Sequence, residues 1–299
     1  MENREIVKSI SGRITDVLRF SLEDGPGIRT TVFLKGCPLR CFWCHNPESL
    51  SKDMQLQYFE EKCTGCGDCV MSCPVNAQNM SEGQHTFNRK ICIACGKCVD
   101  VCCFGALKLA GKDVDVNVLM KTIVKDRRYY ETSGGGVTLS GGEPLMQPEF
   151  CQLLLKQCKA QGINTAIETC GYWDWQAVHS VIEFTDYFII DIKAFNEKLH
   201  KDVTGVSNKR ILENIKKISE AGNKIIIRTP VIPGVNDNEE EIQSIAGFVR
   251  DLKGVLTYEL LPFHHMGRNK YKSLDMLDLS KDLDAPSKEK MDELRGYIG

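Results

Sequence analysis

No apolar run in this 299-residue chain approaches the ~18 residues that a membrane-spanning helix needs. The first eleven residues are mixed polar and charged, without the hydrophobic stretch of a secretory leader. An excess of one charge is also missing: 38 Lys and Arg stand against 40 Asp and Glu, so nothing points to a nucleic-acid or anionic-membrane surface. There is no internal repeat, no low-complexity segment and no convincing catalytic triad. With 42% hydrophobic and 26% charged residues, the composition is that of an ordinary soluble globular chain, and the expected location is the cytoplasm.

Cysteine is what the chain has in excess. Fifteen thiols would suggest disulfides in a small secreted protein, but this chain is neither small nor, on its N-terminus, secreted. Twelve of the fifteen fall between Cys37 and Cys103. In a reducing compartment such crowding points to metal. Residues 62–110 are also Gly-rich and poor in long apolar stretches, so that region is expected to be held by its metals rather than by a core.

On either side the texture changes. Short β-branched runs over 30–35, 136–140, 165–168, 187–191, 224–228 and 256–261 read as strands. Helical periodicity covers 116–130, 148–161, 174–184, 208–221 and 239–252, with Asp115 and Asn238 placed as N-caps and Gly162 and Gly222 as C-caps. Alternation of this kind implies a parallel sheet, either open and doubly wound or an incomplete barrel.

The unusual residues cluster at one end of these strands. Cys37-x3-Cys41-x2-Cys44 follows the first, Gly141-Gly142-Glu143-Pro144 the second and Glu168-Thr169-Cys170-Gly171 the third. Asp191 and Lys193 end the fourth, Arg228 the fifth, and His264 follows the sixth. Ligands of parallel α/β folds bind at the carboxyl ends of the strands, so six such placements argue for an enzyme.

Three thiolates within eight residues can hold three corners of an iron–sulfur cubane and leave one iron open; zinc completed by His45 is the plainer alternative. Cys63-x2-Cys66-x2-Cys69-x3-Cys73-Pro74 and Cys92-x2-Cys95-x2-Cys98-x3-Cys102 follow the bacterial two-cluster ferredoxin pattern, in which the fourth cysteine of each run serves the other cluster. Cys63, Cys66 and Cys69 are therefore paired with Cys102, and Cys92, Cys95 and Cys98 with Cys73. Cys103 stands where the usual proline would be, and Cys102 is preferred because it keeps the x3 spacing. Cys151 and Cys158 share a helix face and read as core thiols. Gly141 and Gly142 would let the backbone approach a ligand. Asp191 and Lys193 share a strand face, where two charges at the end of an apolar run need a polar partner. Arg228 could meet a carboxylate bidentately.

The three-cysteine spacing resembles the radical S-adenosylmethionine superfamily. Together with the 24–29 loop (Asp24, Gly25, Pro26, Gly27, Ile28, Arg29), His45-Asn46-Pro47-Glu48, residues 133–138, Gly141-Gly142-Glu143-Pro144 and Leu261-Pro262-Phe263-His264, it resembles the glycyl radical enzyme activating enzymes over residues 8–50 and 114–298. The resemblance implies a partial (β/α)6 TIM-like barrel, residues 1–51 and 113–299, with an inserted bacterial ferredoxin-like domain at 52–112. It implies three [4Fe-4S] clusters, with the cluster on Cys37, Cys41 and Cys44 chelating S-adenosylmethionine. Gly141, Gly142, Glu143, Thr169, Asp191, Lys193, Arg228 and His264 match cofactor contacts, and Glu168 a position beside a monovalent cation. Asp16 and the 24–29 loop are expected to receive the partner's glycine segment.

The implied activity begins with an electron from reduced flavodoxin or ferredoxin. S-adenosylmethionine is cleaved to methionine and a 5′-deoxyadenosyl radical, which takes a hydrogen atom from a backbone glycine of a partner glycyl radical enzyme. The expected partner is a dehydratase or C–X lyase, with hydroxyproline dehydratase first. The competing readings are a radical S-adenosylmethionine enzyme acting on a small molecule and a ferredoxin-type electron carrier.

Overall fold

The computed structural model describes residues 10–298. Residues 1–9, which carry most of the leader argument and begin the first barrel segment, lie outside the described residues, as does Gly299. The strands are β1 (Ser11–Ser21), β2 (Arg29–Leu34), β3 (Gln55–Tyr58), β4 (Gln78–Ser81), β5 (Gln84–Phe87), β6 (Leu107–Ala110), β7 (Lys112–Asp115), β8 (Gly136–Gly141), β9 (Asn164–Thr169), β10 (Tyr187–Asp191), β11 (Lys224–Val231) and β12 (Val255–Pro262). The helices are α1 (Asp68–Ser72), α2 (Lys97–Asp100), α3 (Val116–Ile123), α4 (Arg127–Ser133), α5 (Pro148–Ala160), α6 (Trp175–His179), α7 (Glu197–Thr204), α8 (Lys209–Glu220), α9 (Glu239–Arg250), α10 (Arg268–Ser273) and α11 (Lys288–Arg295). None of the helices is long and apolar enough to cross a membrane.

Eight strands form one sheet in the order β12-β11-β10-β9-β8-β2-β1-β7. From β2 through β8 to β12 the neighbours are parallel and follow chain order without reversal. A doubly wound sheet reverses its order at a switch point. Without a reversal, crossovers that obey the right-handed rule all turn the same way and keep the helices on one face, which makes the architecture a partial barrel. β12 and β7 do not pair, so the barrel is open.

Side chains alternate between two environments along these strands. Phe188, Ile190, Ile225 and Ile227 join the main core with the helix residues Ile211, Ile215, Ile218 and Ile245. Ala166, Ile189 and Ile226 form a separate inner cluster. Asp191 shares the parity of Ile189, Arg228 that of Ile226 and Glu168 that of Ala166, so the charged strand ends continue the inner face.

The helices follow the expected logic where tertiary contacts allow. α8 buries Ile211, Asn214, Ile215 and Ile218 at helical spacing. Gly162 (φ 69°) and Gly222 (φ 82°) take the left-handed conformation just beyond α5 and α8. The Asp115 carboxylate accepts from the Asn117 N–H at 2.7 Å, and Asn238 Oδ1 from the Glu241 N–H at 3.0 Å. The helix expected over 116–130 is broken, however, by a 3₁₀ turn over Val124–Asp126. Asp126 is 1% exposed, and its carboxylate accepts from Arg19 and from Thr30 Oγ1 at 3.0 Å. Meeting partners on β1 and β2 takes precedence over helix continuity. Asp126→Ala should cost about 1–3 kcal/mol in denaturant unfolding of the cluster-loaded protein, because Arg19 and Thr30 lose a charged acceptor. The segment expected as helix over 174–184 is helical only in α6, with a 3₁₀ turn at Ile182–Phe184.

Two strands of the sheet were not expected. β7 pairs only with the start of β1. β1 is the longest strand, yet register shifts after Ile14 and after Leu18 disrupt its alternation, and much of its second half is exposed. The periodicity that marks a strand is lost across such irregularities.

The insert leaves the barrel between β2 and β7. It contains the ladders β3–β6 and β4–β5, with α1 packed on α2. Polar bonds fasten it to α10. Arg89 donates to the carbonyls of Leu56 and Ser273, both at 2.6 Å, and Gln57 donates to Ser273 Oγ at 3.0 Å. α10 packs against both β3 and the Pro47–Ser49 turn. Its Lys270 reaches Asn46 Oδ1 and Glu48 Oε1, each at 2.7 Å.

Candidate active site

The carboxyl ends of the parallel strands surround a cavity of ≈ 470 Å³. Cys37, Cys41 and Cys44 line it, carried on the loop that leaves β2. This loop is anchored at both ends: the Gly36 N–H donates to the Ser49 carbonyl at 2.7 Å and the Cys37 N–H to the Leu50 carbonyl at 3.1 Å. Lys35, 1% exposed, donates to the Glu48 carbonyl and to Gln55 Oε1.

Gly141 and Gly142 also line the cavity, but their lack of a side chain serves the protein first. A Cβ on Gly142 would stand 2.4 Å from the Gly36 carbonyl oxygen, and one on Gly141 2.4 Å from both Leu34 N and Leu34 O. Gly141 has φ 110°. The glycines thus let β8 close against the cysteine loop, and the Glu143 N–H donates to the Gly36 carbonyl at 2.7 Å.

Of the remaining expected residues, Thr169, Asp191, Lys193 and His264 line this cavity. Lys193 donates to Asp191 at 2.9 Å. Burial works against its charge, but Asp191 and then Cys41 hold the ammonium above its ordinary range. Burial pushes the Cys41 thiol up to about 12 and the Cys44 thiol up to about 11, so thiolates here need a cation beside them. Two more of the expected residues are bonded within the protein. Glu143 is fully buried, with Oε2 accepting from the Cys170 N–H at 2.9 Å and from Thr169 Oγ1 at 3.1 Å, and Oε1 accepting from the Leu145 N–H at 3.0 Å. Arg228 donates to Glu259 at 2.9 Å, to Glu168 at 3.1 Å and to the Glu23 carbonyl at 2.8 Å. It therefore stands behind Glu168, which lines the cavity and also accepts from Ser140 Oγ at 2.5 Å. Burial and the neighbouring Asp191 raise the Glu168 carboxyl above its usual range, with Arg228 opposing them.

Sequence reasoning missed other lining residues. Ser140 precedes Gly141 on the same strand end, a signal that was available. Glu23 comes from the loop before β2, where no strand-end pattern marks it. The rest of that loop is used internally: Asp24 accepts from Ser21 and Thr31, and Arg29, 0% exposed, donates to Thr138 and to the Pro26 carbonyl. Asp16 lies on β1 beside a second cavity.

His45 stacks on His264 with ring centroids 3.7 Å apart. His45 Nε2 is buried without a partner among the described residues. The three thiols surround a space, and among the described residues no three of His, Cys, Asp or Glu converge as one ion requires. Thiols that each bind a different iron of a cubane need no such convergence. A set of soft thiol donors, a retained ammonium and an orphaned imidazole nitrogen around one space fits a cluster with a polar ligand.

The insert repeats a motif. Gly67 and Gly96, both with positive φ, precede α1 and α2. Cys63, Cys66, Cys69 and Cys102 line one small cavity, and Cys73, Cys92, Cys95 and Cys98 line another. The Ala77 N–H points at Cys73 Sγ at 3.1 Å and Gln78 Nε2 at Cys98 Sγ at 3.5 Å. Burial opposes it, yet the N–H groups of Val75, Ala77, Gln78 and Asn76 bring the Cys73 thiol below its ordinary range. Cys103 is exposed and lines neither cavity. Alanine at Cys102 should therefore remove about one cluster's iron from the anaerobically reconstituted protein, whereas alanine at Cys103 should leave the iron content unchanged.

Comparison with known proteins gives two family matches: the radical SAM superfamily over residues 101–246 and a 4Fe-4S dicluster domain over residues 56–103. The chain is 43% identical to the choline trimethylamine-lyase activating enzyme of Oleidesulfovibrio alaskensis, over 87% of this chain and 86% of that one. It is 43% identical to the (2S)-3-sulfopropanediol dehydratase activating enzyme of Klebsiella oxytoca, over 90% and 88%. It is 41% identical to the trans-4-hydroxy-L-proline dehydratase activating enzyme of Clostridioides difficile, over 94% of each. Among solved structures, a radical SAM methyltransferase from Sphaerobacter thermophilus superposes with a TM-score of 0.51 over 95% of this chain and 73% of that one; at 13% identity this speaks for the fold alone.

Proposed function

The chain belongs to the radical S-adenosylmethionine enzymes that activate glycyl radical enzymes, and from that premise we propose how its own residues divide the work. Cys37, Cys41 and Cys44 hold the cluster that meets S-adenosylmethionine. Cys63, Cys66, Cys69 and Cys102 hold a second, and Cys92, Cys95, Cys98 and Cys73 a third. The observation that carries this reading is that three thiols, Lys193, Asp191 and the Gly141-Gly142 backbone share one cavity at the carboxyl ends of the strands.

When bound, the site cluster and S-adenosylmethionine supply the reductive cleavage that yields methionine and the radical which takes the glycine hydrogen. The protein supplies orientation. Lys193, kept cationic by Asp191, offers its ammonium to the cofactor carboxylate. The backbone at Gly141 and Gly142 would receive the amino group, and Glu143, bonded to Cys170, Leu145 and Thr169, would brace that turn. His264, backed by His45, offers a ring face. Glu168, its carboxylate fixed by Arg228, would stand beside a monovalent cation, and Thr169 would face the cofactor. Burial of these groups excludes water from a reactive intermediate. Reduced flavodoxin or ferredoxin is the proposed electron donor. A cytoplasmic setting agrees with the thiol-rich sequence.

The proposed protein substrate is a glycyl radical dehydratase or C–X lyase. Trans-4-hydroxy-L-proline dehydratase comes first, supported by a match spanning 94% of both chains. The test mixes anaerobic, reduced holoenzyme and S-adenosylmethionine with a panel of that dehydratase, choline trimethylamine-lyase and (2S)-3-sulfopropanediol dehydratase. A glycine-centred EPR doublet in one of them is expected. Cleavage of S-adenosylmethionine with no doublet in any glycyl radical enzyme supplied would favour small-molecule chemistry instead.

A further inference from the structure

The two cysteine runs of the insert align residue for residue from Cys63 and Cys92 onward. Cys73 then answers to Cys102, Asn76 to Gly105 and Ala77 to Ala106. The backbone follows the same alignment. Asn76 (φ 52°) and Gly105 (φ 64°) are both left-handed, and the strands that come next, β4 and β6, begin at the matching residues Gln78 and Leu107. Both of these side chains are buried. Gln78 lines the cavity of Cys73, Cys92, Cys95 and Cys98, as Leu107 lines that of Cys63, Cys66, Cys69 and Cys102. One backbone plan thus sets an amide against one group of thiols and an alkyl chain against the other.

The amide is held in one orientation. Gln78 Nε2 donates to Cys98 Sγ at 3.5 Å, and Gln78 Oε1 lies 2.8 Å from His85 Nε2. A carbonyl oxygen only accepts, so the His85 nitrogen carries the proton and keeps the Gln78 NH2 turned toward sulfur. Other differences between the two surroundings are small. Cys66 and Cys95, which match in the alignment, are both exposed. One cation and one anion, Lys62 and Asp68, line the first cavity, and no charged side chain lines the second. Tyr58 brings a hydroxyl to Cys63 from outside the repeat, so exchange at positions 78 and 107 is what isolates the amide.

An iron–sulfur cluster gains one negative charge on reduction, and an N–H aimed at a ligand sulfur favours the reduced state. We propose that Gln78, oriented by His85, is a positioning residue that raises the reduction potential of the cluster held by Cys73, Cys92, Cys95 and Cys98. An electron received by the insert is thereby drawn toward this cluster. The inference rests on the cluster assignment proposed above and deepens it: the two halves of the insert share a backbone but are not electrically equivalent.

The test is a potentiometric titration of the cluster-loaded holoenzyme, followed by EPR. Signals that S-adenosylmethionine perturbs belong to the site cluster, and the two other midpoints belong to the insert. Gln78→Leu should lower one insert midpoint by about 59 mV, a tenfold shift of the one-electron equilibrium, and leave the other in place. Leu107→Gln should raise the other by a similar amount. Iron analysis shows that each variant holds its clusters. Should Gln78→Leu lose iron, Leu107→Gln decides, because it keeps Gln78 untouched. Midpoints unmoved by either substitution, or both insert midpoints moved together by one of them, would overturn the proposal. Iron for fewer than three clusters in the parent would strike the cluster assignment instead, a separate result.

Discussion

Alanine at Cys41 should leave a protein that retains the insert's iron, roughly two thirds of the total for three clusters, yet has lost cleavage of S-adenosylmethionine by at least ~10³-fold. Cys41 lines the cofactor cavity together with Cys37 and Cys44, and no thiol of the insert lines it. Cys170 also lines the cavity, and its backbone N–H donates to Glu143. Iron and sulfide analysis, with the cleavage assay on the same anaerobic sample, separates loss of one cluster from general unfolding. Retention of both full iron content and cleavage would sink the assignment of Cys41.

The second large effect is expected at Asp191. Its carboxylate accepts from Lys193, and the two side chains are 24% and 14% exposed. Removing one member of a largely buried pair leaves the other charge without its counterion, at a cost of about 3 kcal/mol or more. Asp191→Ala should therefore weaken S-adenosylmethionine binding on the order of 10²-fold, by releasing Lys193 from its position and by lowering its hold on the proton. Calorimetric titration of the cluster-loaded variant measures this directly. Asp191→Asn, which retains a hydrogen-bond acceptor, should lose less. Equal affinities for parent and alanine variant would show that Lys193 is positioned by something other than Asp191.

Much of the site was legible because strand ends and cysteine spacing are local signals. The residues after β2, β8, β9, β10 and β12 were placed on one face by sequence alone, and the cavity gathers Cys37, Gly141, Thr169, Lys193 and His264 there. What local reading does not supply is the direction of a side chain. Glu143 follows two glycines that border the cavity, yet its carboxylate turns into the protein to satisfy three donors, two of them backbone N–H groups. Arg228 has the parity of the inner face but is drawn to Glu168 and Glu259, on strands far apart in sequence. The partial barrel became distinguishable from a doubly wound sheet only through strand order, which hydrophobic periodicity does not encode. β1 escaped notice for a related reason: its irregular register is stabilised by β2 and β7 together, not by its own pattern.

The short helix α10 has a mechanical consequence. Lys270 grips Asn46 and Glu48 at the end of the cysteine loop, while Ser273 and Lys272 hold Gln57, Arg89 and Glu60 on the insert. Six residues thus bridge the insert and the loop that carries the three thiols. Any displacement of the insert would bear on the loop beside Cys44 through these side chains. The helix is the mechanical link between the two cysteine-bearing parts of the molecule.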